Sequence, residues 1–228
     1  MLLSHDETVT TTRGRPRLTD RRRPGVNARD EILDAAGELF TTRGYANTST
    51  RSIAEAVGVR QASLYHYFHT KDEILSALLH QTVTPSLRFA ERLTELQPEL
   101  SAPAQLHALA AFDGSQLLTG RWNLGALYLL PELREARLAT FWADRERLRL
   151  HYLGFATATA PVDADTADLP FRLVEALVNM RAAKEPGPAG DNTALAERVA
   201  DACLRVLSVP DESLTAIRAR SRSLLVQQ

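Results

Sequence analysis

Apolar side chains recur with a period near 3.6 residues along most of the chain, and no run alternates with period two, so the pattern predicts an all-α fold. The first helix opens at Asn27, which can cap it together with Asp30. Ile32, Leu33, Ala36, Leu39 and Phe40 form its inward stripe, and Gly44 stops it. A second helix follows Thr48-Ser49 with Ile53, Ala54 and Val57 inward, and Gly58 breaks it after barely two turns. A third runs from about residue 61 to 68, with Leu64 and Phe68 inward. Thr70 caps a long fourth helix, whose first turn carries Asp72 and Glu73 and which Pro85 should kink. Helical stretches are expected at about 72–96, 104–119, 122–129, 131–156, 169–184, 191–207 and 210–226. Pro131 suits a first helical turn, loops are expected at 157–168 and 186–190, and Ser208 with Asp211 predicts a capping box for the last helix.

The short second and third elements have the form of a helix-turn-helix. Such a pair packs only if its contact side chains are small, which Ala54 provides, and its turn needs positive φ, which Gly58 provides. Positions 53, 57, 59, 64 and 68 then make the seam with the first helix. This leaves Arg60, Gln61, Ser63, Tyr65, His66 and Tyr67 outward, a set of donors, acceptors and aromatic hydroxyls suited to base edges and phosphates.

Composition changes this picture in one respect. Net charge is −1, yet residues 1–71 carry +3 and the rest −4. Seven arginines lie between positions 13 and 29 against one acid, Asp20. A basic end on an acidic body is expected where that end meets a polyanion. Residues 1–26 have few large apolar side chains and are expected to be disordered when free. Within them Arg13-Gly14-Arg15-Pro16-Arg17 resembles an AT-hook core, in which Gly and Pro keep the strand thin while Arg13, Arg15 and Arg17 enter a narrow A·T minor groove.

The stretch from Asp30 to Leu79 contains Ile-Leu…Ala-Ala…Leu-Phe, Arg-Gly-Tyr, Thr-Ser-x-Arg-x-Ile-Ala, Val-Gly-Val and Leu-Tyr-x-Tyr-Phe-x-x-Lys-Asp-Glu-Ile-Leu. Over these roughly fifty residues the chain resembles the DNA-binding head of the TetR family. The resemblance implies base contacts from Arg60, Gln61 and Ala62, and phosphate contacts from Tyr65 and Tyr67 with His66 between them at the surface. It also implies backbone clamps from Thr50 and Lys71. The family often has Ser or Lys near positions 60 and 61, so Arg60 with Gln61 suggests guanine and adenine readout instead. The organisation expected is an arm at 1–26, a head at 27–87 with its helix-turn-helix at about 50–69, and a helical ligand-binding and dimerisation body at 88–228.

In the body, Phe112, Gln116, Trp122, Tyr128, Trp142, Phe155, Asn179 and Met180 are candidate pocket residues, polar-tipped or aromatic among aliphatics. The helices at 169–184 and 191–207 are apolar around much of their circumference and need cover on two sides. Val174, Leu177 and Val178 on one, with Leu195, Val199 and Val206 on the other, are candidates for a four-helix interface with a second copy, as the resemblance also implies.

Other classes lack their signatures. The sequence has no phosphate loop, dinucleotide fingerprint, metal triad or nucleophile elbow, since Gly114-Ser115 lacks the flanking pattern. No catalytic residue, metal or cofactor is therefore expected. His66 and His69 lie three apart without a third ligand, while His80, His107 and His151 are isolated. The lone Cys203 excludes an internal disulfide. No apolar run approaches the ~18–20 residues that span a bilayer, and Leu2-Leu3 give way at once to Ser4, His5, Asp6 and Glu7. A cytoplasmic protein without a membrane partner is expected. An architectural DNA protein would lack the large acidic body. The expected function is a homodimeric repressor, bound to a palindromic double-stranded operator and released by a small-molecule effector. An activator or a ligand-independent regulator of the same family is the alternative.

Overall fold

The computed structural model describes residues 23–95, 101–129, 138–182 and 192–226, and every regular element among them is a helix. The head comprises α1 (Ala28–Thr42), α2 (Thr50–Val57), α3 (Gln61–Tyr65) and the start of α4 (Lys71–Glu95). The body follows with α5 (Ala102–Thr119), a 3-10 segment (Leu124–Leu129), α6 (Ala139–Thr159), α7 (Ala164–Ala182), α8 (Asn192–Val206) and α9 (Asp211–Val226). Its centre is α5, which packs against α4, α6, α7, α8 and α9 and is buried on most of its circumference, from Ala104 to Leu118. One apolar cluster runs from Ile32 in the head to Leu224 in α9. The 3-10 segment touches α1, α4 and α7, so it lies where head and body meet.

Local chemistry accounts for most boundaries. Asn27 Oδ1 accepts from the Asp30 amide at 3.0 Å and starts α1, while the Asp30 carboxylate accepts from the Val26 amide at 3.2 Å. Ser49 and Ser52 form a reciprocal capping box at the start of α2. Gly58 ends α2 with φ of 78°, in the left-handed region where a Cβ would be strained. Thr70 Oγ1 accepts from the Glu73 amide at 3.1 Å, and Glu73 accepts from the His69 amide at 2.7 Å, which fixes the start of α4. The helix then runs through Pro85 to Glu95.

Several expectations are corrected. The third helix closes at Tyr65 rather than near 68, and the expected helix at 122–129 is a 3-10 segment. The loop expected at 157–168 is shorter, because α6 continues to Thr159 and α7 starts at Ala164 with Pro170 inside it. Ser208 does not cap α9. It adopts φ of 60°, its amide bonds Arg205 O at 2.9 Å, and the Val209 amide bonds Leu204 O at 3.1 Å, so it terminates α8. Pro131 and the loop at 186–190 lie outside the described residues.

The apolar face of α7 is also assigned differently. Val174, Leu177 and Val178 are buried within the single chain, Leu177 against Leu118 and Ala196, so they are not surface available to a second copy. The outward stripe of α7 is Leu169, Leu173, Ala176 and Met180, with Met180 46% exposed. On α8, Leu195, Val199 and Val206 are only partly buried, and Ala202 completes their stripe.

Candidate nucleic-acid interface and effector region

The helix-turn-helix places one polar surface over a dry seam. Ile53, Ala54, Val57, Leu64 and Phe68 are buried beneath α2 and α3, and Val59 packs partly against them. Above the seam, Arg60, Ala62, Ser63, Tyr65, His66 and Tyr67 are exposed, the two tyrosines by 40% and 47%. Gln61 and Thr50 are half-buried and linked. Gln61 Nε2 donates to Thr50 Oγ1 and to the Tyr65 hydroxyl, both at 3.1 Å, and Thr50 and Tyr65 are 3.3 Å apart. This triangle ties the start of α2 to α3, so Gln61 sits in a fixed orientation. Arg51 lies beside Thr50 with a largely exposed side chain, paired to Glu55 one turn on at 2.9 Å, and was not singled out from sequence.

Lys71 is held rather than free. Its Nζ donates to Tyr45 O at 2.9 Å and lies 4.1 Å from the centroid of the Tyr45 ring, whose hydroxyl bonds Asp72. The cation is thereby fixed at the start of α4, beside the α1–α2 loop. Arg13, Arg15 and Arg17 lie outside the described residues. The arm's first described cation, Arg23, is locked onto the head. Its Nη1 meets Asp34 at 2.9 Å and Glu38 at 2.7 Å, and its Nε donates to Ala56 O at 3.0 Å. These contacts hold its guanidinium more firmly protonated than usual against the opposing effect of burial.

The eight pocket candidates separate into two groups. Phe112, Tyr128, Trp142 and Phe155 belong to the aromatic interior. Phe112 packs against Phe89 with rings tilted by 44° and centroids 4.7 Å apart, and Phe141 lies 5.4 Å from Tyr128 and 5.1 Å from Trp142. Tyr128 also hydrogen-bonds Thr82 on α4. Gln116, Asn179 and Met180 are exposed on other faces, and Trp122 is engaged at the head–body junction, where its Nε1 donates to Asp34 at 2.9 Å. The structure therefore does not bring the eight into one lining.

The same interior holds a polar centre that sequence reading missed. Asp113 on α5 is fully enclosed, accepting from Ser86 Oγ at 2.8 Å and from the Tyr152 hydroxyl at 2.9 Å. Burial pushes its carboxyl up to about 6, although both hydrogen bonds pull the other way. Arg145 pairs with Glu175 nearby and lies over the Trp142 and Phe171 rings. A second buried group joins α5, α8 and α9, where His107 meets Ser221 Oγ at 2.9 Å and Asp201 at 3.3 Å. Burial lowers the imidazole's proton affinity more than Asp201 raises it, so this His is a neutral cross-tie.

The chain is similar to known proteins in sequence and in fold. The family model for bacterial regulatory proteins of the tetR family matches residues 32–78, the helix-turn-helix and its flanks. The crystal structure of Mycobacterium smegmatis AmtR is similar over most of the chain. Sequence identity is 48%, the TM-score is 0.81, and the match covers 90% of this chain and 97% of that one. The fatty acid metabolism regulator protein of Bacillus subtilis (strain 168) is 32% identical over 108 residues, or 47% of this chain and 54% of that protein. The repressor KstR2 of Rhodococcus jostii (strain RHA1) is 43% identical over 51 residues, 22% of this chain and 25% of that one. The chain thus spans about half the length of the Bacillus relative and a quarter of the Rhodococcus one. No helix among the described residues is long and apolar enough to cross a membrane. With the head matched by a family model and 90% of the chain by a solved relative at 48% identity, the protein belongs to the tetR family of bacterial regulatory proteins, a family of DNA-binding transcriptional regulators and not of enzymes.

Proposed function

We propose that the chain is a homodimeric repressor that binds a palindromic operator through Arg60, Gln61, Ala62 and Ser63, and is released by a small-molecule effector. The observation that carries this reading is the polar face of α3, exposed over a dry seam, with Gln61 fixed by Thr50 and Tyr65. A base-reading amide held in one orientation loses little freedom on binding. Tyr65, His66, Tyr67, Thr50 and Lys71 contact the phosphates around it, and the arm's Arg13, Arg15 and Arg17 enter the adjacent minor groove. Repression is the function named for the KstR2 relatives of the head.

Two copies pair through the outward stripes of α7 and α8, Leu169, Leu173 and Met180 with Leu195, Val199 and Val206. That pairing sets the two α3 helices one helical turn of DNA apart, roughly 34–36 Å. The effector occupies the aromatic interior bounded by Phe112, Tyr128, Trp142 and Phe155, which adjoins α4 through Thr82 and Ser86 on either side of Pro85. An effector works only by binding two arrangements of the heads with different affinity. There, a shift in α4 is available at Pro85, where the helix lacks one backbone donor.

The test is selection of duplexes from a random pool by the full chain, followed by binding of the Gln61→Ala variant. A two-fold symmetric consensus is expected, and Gln61→Ala should cost roughly 1–3 kcal/mol while relaxing preference at one position per half-site. Enrichment of no sequence by the wild-type chain would overturn the reading.

A further inference from the structure

We propose that Asp34 on α1 is a positioning residue for DNA binding: one carboxylate fixes both the root of the N-terminal arm and the body loop at Arg121-Trp122, so the body sets the head through this loop as well as through α4. The proposal rests on the DNA-binding reading above and adds a second route to it.

The geometry is convergent. Oδ2 accepts from Arg23 Nη1 and from Arg121 Nη1, each at 2.9 Å. Oδ1 accepts from Trp122 Nε1 at 2.9 Å and from Arg121 Nη1 at 3.1 Å. The carboxylate is only 12% exposed, so charge-assisted bonds to it are little screened. One turn further along α1 the backbone comes within contact of the same indole. A Cβ at Gly37 would lie 2.9 Å from Trp122 Cδ1 and 3.3 Å from Leu124 Cδ2, so glycine at 37 is what lets the loop seat on α1. The Arg121 guanidinium covers the Trp122 ring at 4.7 Å. Two carboxylates, Asp34 and Glu38, thus face two guanidinia, Arg23 and Arg121.

Both sides of the junction lead somewhere. On the head side, Arg23 Nε reaches Ala56 O near the end of α2, two residues before the turn at Gly58, and Arg23 is itself part of the 1–26 arm. On the body side, the loop is tied to α7. Arg181 donates to Leu117 O at 2.8 Å and to Gly120 O, and Asn123 Nδ2 donates to Val178 O at 3.0 Å. Val178 and Arg181 flank Met180, on the stripe offered to the second copy. A continuous set of polar contacts therefore runs from α7 through the loop to Asp34, Arg23 and the end of α2. The loop also keeps one cost, because Asn123 Oδ1 is buried without a hydrogen-bond partner.

The test uses the full-length chain and the duplex that wild type selects from the random pool. With Trp142→Phe as the reference, Trp122 is the single indole, and adding that duplex should change its emission. Asp34→Asn in the same reference should abolish the change and weaken duplex binding by roughly tenfold, because a neutral amide holds the two guanidinia poorly. Trp122→Phe, which keeps the ring on Gly37 but removes the N–H donor, should weaken binding by a smaller factor at unchanged melting temperature. It thereby keeps the proposal testable if Asp34→Asn folds badly. Wild-type affinity in both variants, or Trp122 emission indifferent to the duplex, overturns the role of Asp34. Failure of the wild-type chain to select any duplex instead overturns the underlying reading.

Discussion

Asp113 carries an ionisable group at the point where α4, α5 and α6 meet, and its surroundings set a pH signature. Its folded-state value is raised to about 6, so folding favours the protonated acid. The stabilisation is fully present below the unfolded carboxylate value, is lost as pH rises through about 6, and is constant above that. Asp113→Asn keeps an acceptor for Ser86 or Tyr152 and cannot ionise. Relative to the wild type, the variant should therefore gain stability between about pH 4 and 6, by on the order of 2–3 kcal/mol in total. Paired thermal melts of the two proteins from pH 3.5 to 8 measure this directly, and a gap independent of pH would show that Asp113 ionises normally. His107 behaves differently, since both ring nitrogens already have partners in Ser221 and Asp201, with Arg218 bonded to the same carboxylate. It joins three helices without needing a charge.

At the scale of elements, α7 and α8 each have an inner apolar face and an outer apolar stripe. The inner faces, with Leu177 and Ala196, close over α5, while the outer stripes are only half-covered. Two aspartate substitutions should separate these roles. Leu177→Asp puts an unpaired charge into a fully buried site and should prevent folding, since such burial costs several kcal/mol. Val199→Asp lies on the half-buried stripe and should yield a folded monomer, with helical circular dichroism intact and half the mass in sedimentation. A Val199→Asp protein that stays dimeric would move the interface off this stripe. The same logic applies to α4, which is fixed at its first turn by Thr70, Glu73 and Lys71 and in its middle by Thr82 and Ser86. Pro85 lies between these last two anchors.

For the whole molecule, charge and connectivity run in the same direction. Arg23, a cation of the arm, shares the Asp34 carboxylate with Arg121 and Trp122 of the body, so arm, head and body meet at that carboxylate. Deleting residues 1–22 leaves that anchor intact and removes Arg13, Arg15 and Arg17. The truncated protein should bind the selected duplex more weakly and with a flatter salt dependence, by roughly 0.9 in log–log slope for each phosphate that the arm no longer neutralises. Equal slopes for the full and truncated chains would leave the arginines without a role at DNA. Because the cut spares Arg23, the melting temperature should change little, which separates an effect at DNA from damage to the junction.

The sequence determined what local chemistry determines. Helical period, the Asn27 and Thr70 caps, the Gly58 turn and the inward residues of the head are each set within a few positions, and all are found where the pattern predicts them. The outward face of α3 followed from the same period. What periodicity cannot report is which neighbour supplies the cover. Val174, Leu177 and Val178 read as a stripe needing a partner, and only the packing of α7 against α5 and α8 shows that the partner lies in the same chain. Ser208 read as a cap because its spacing to Asp211 is right, yet its left-handed backbone ends the preceding helix instead. Trp122 read as a pocket aromatic because an indole is apolar with one polar edge, and that edge found Asp34, 88 positions away in sequence. Contacts over such separations depend on how helices already formed are brought together, and so the junction of arm, head and body was decided by tertiary structure alone.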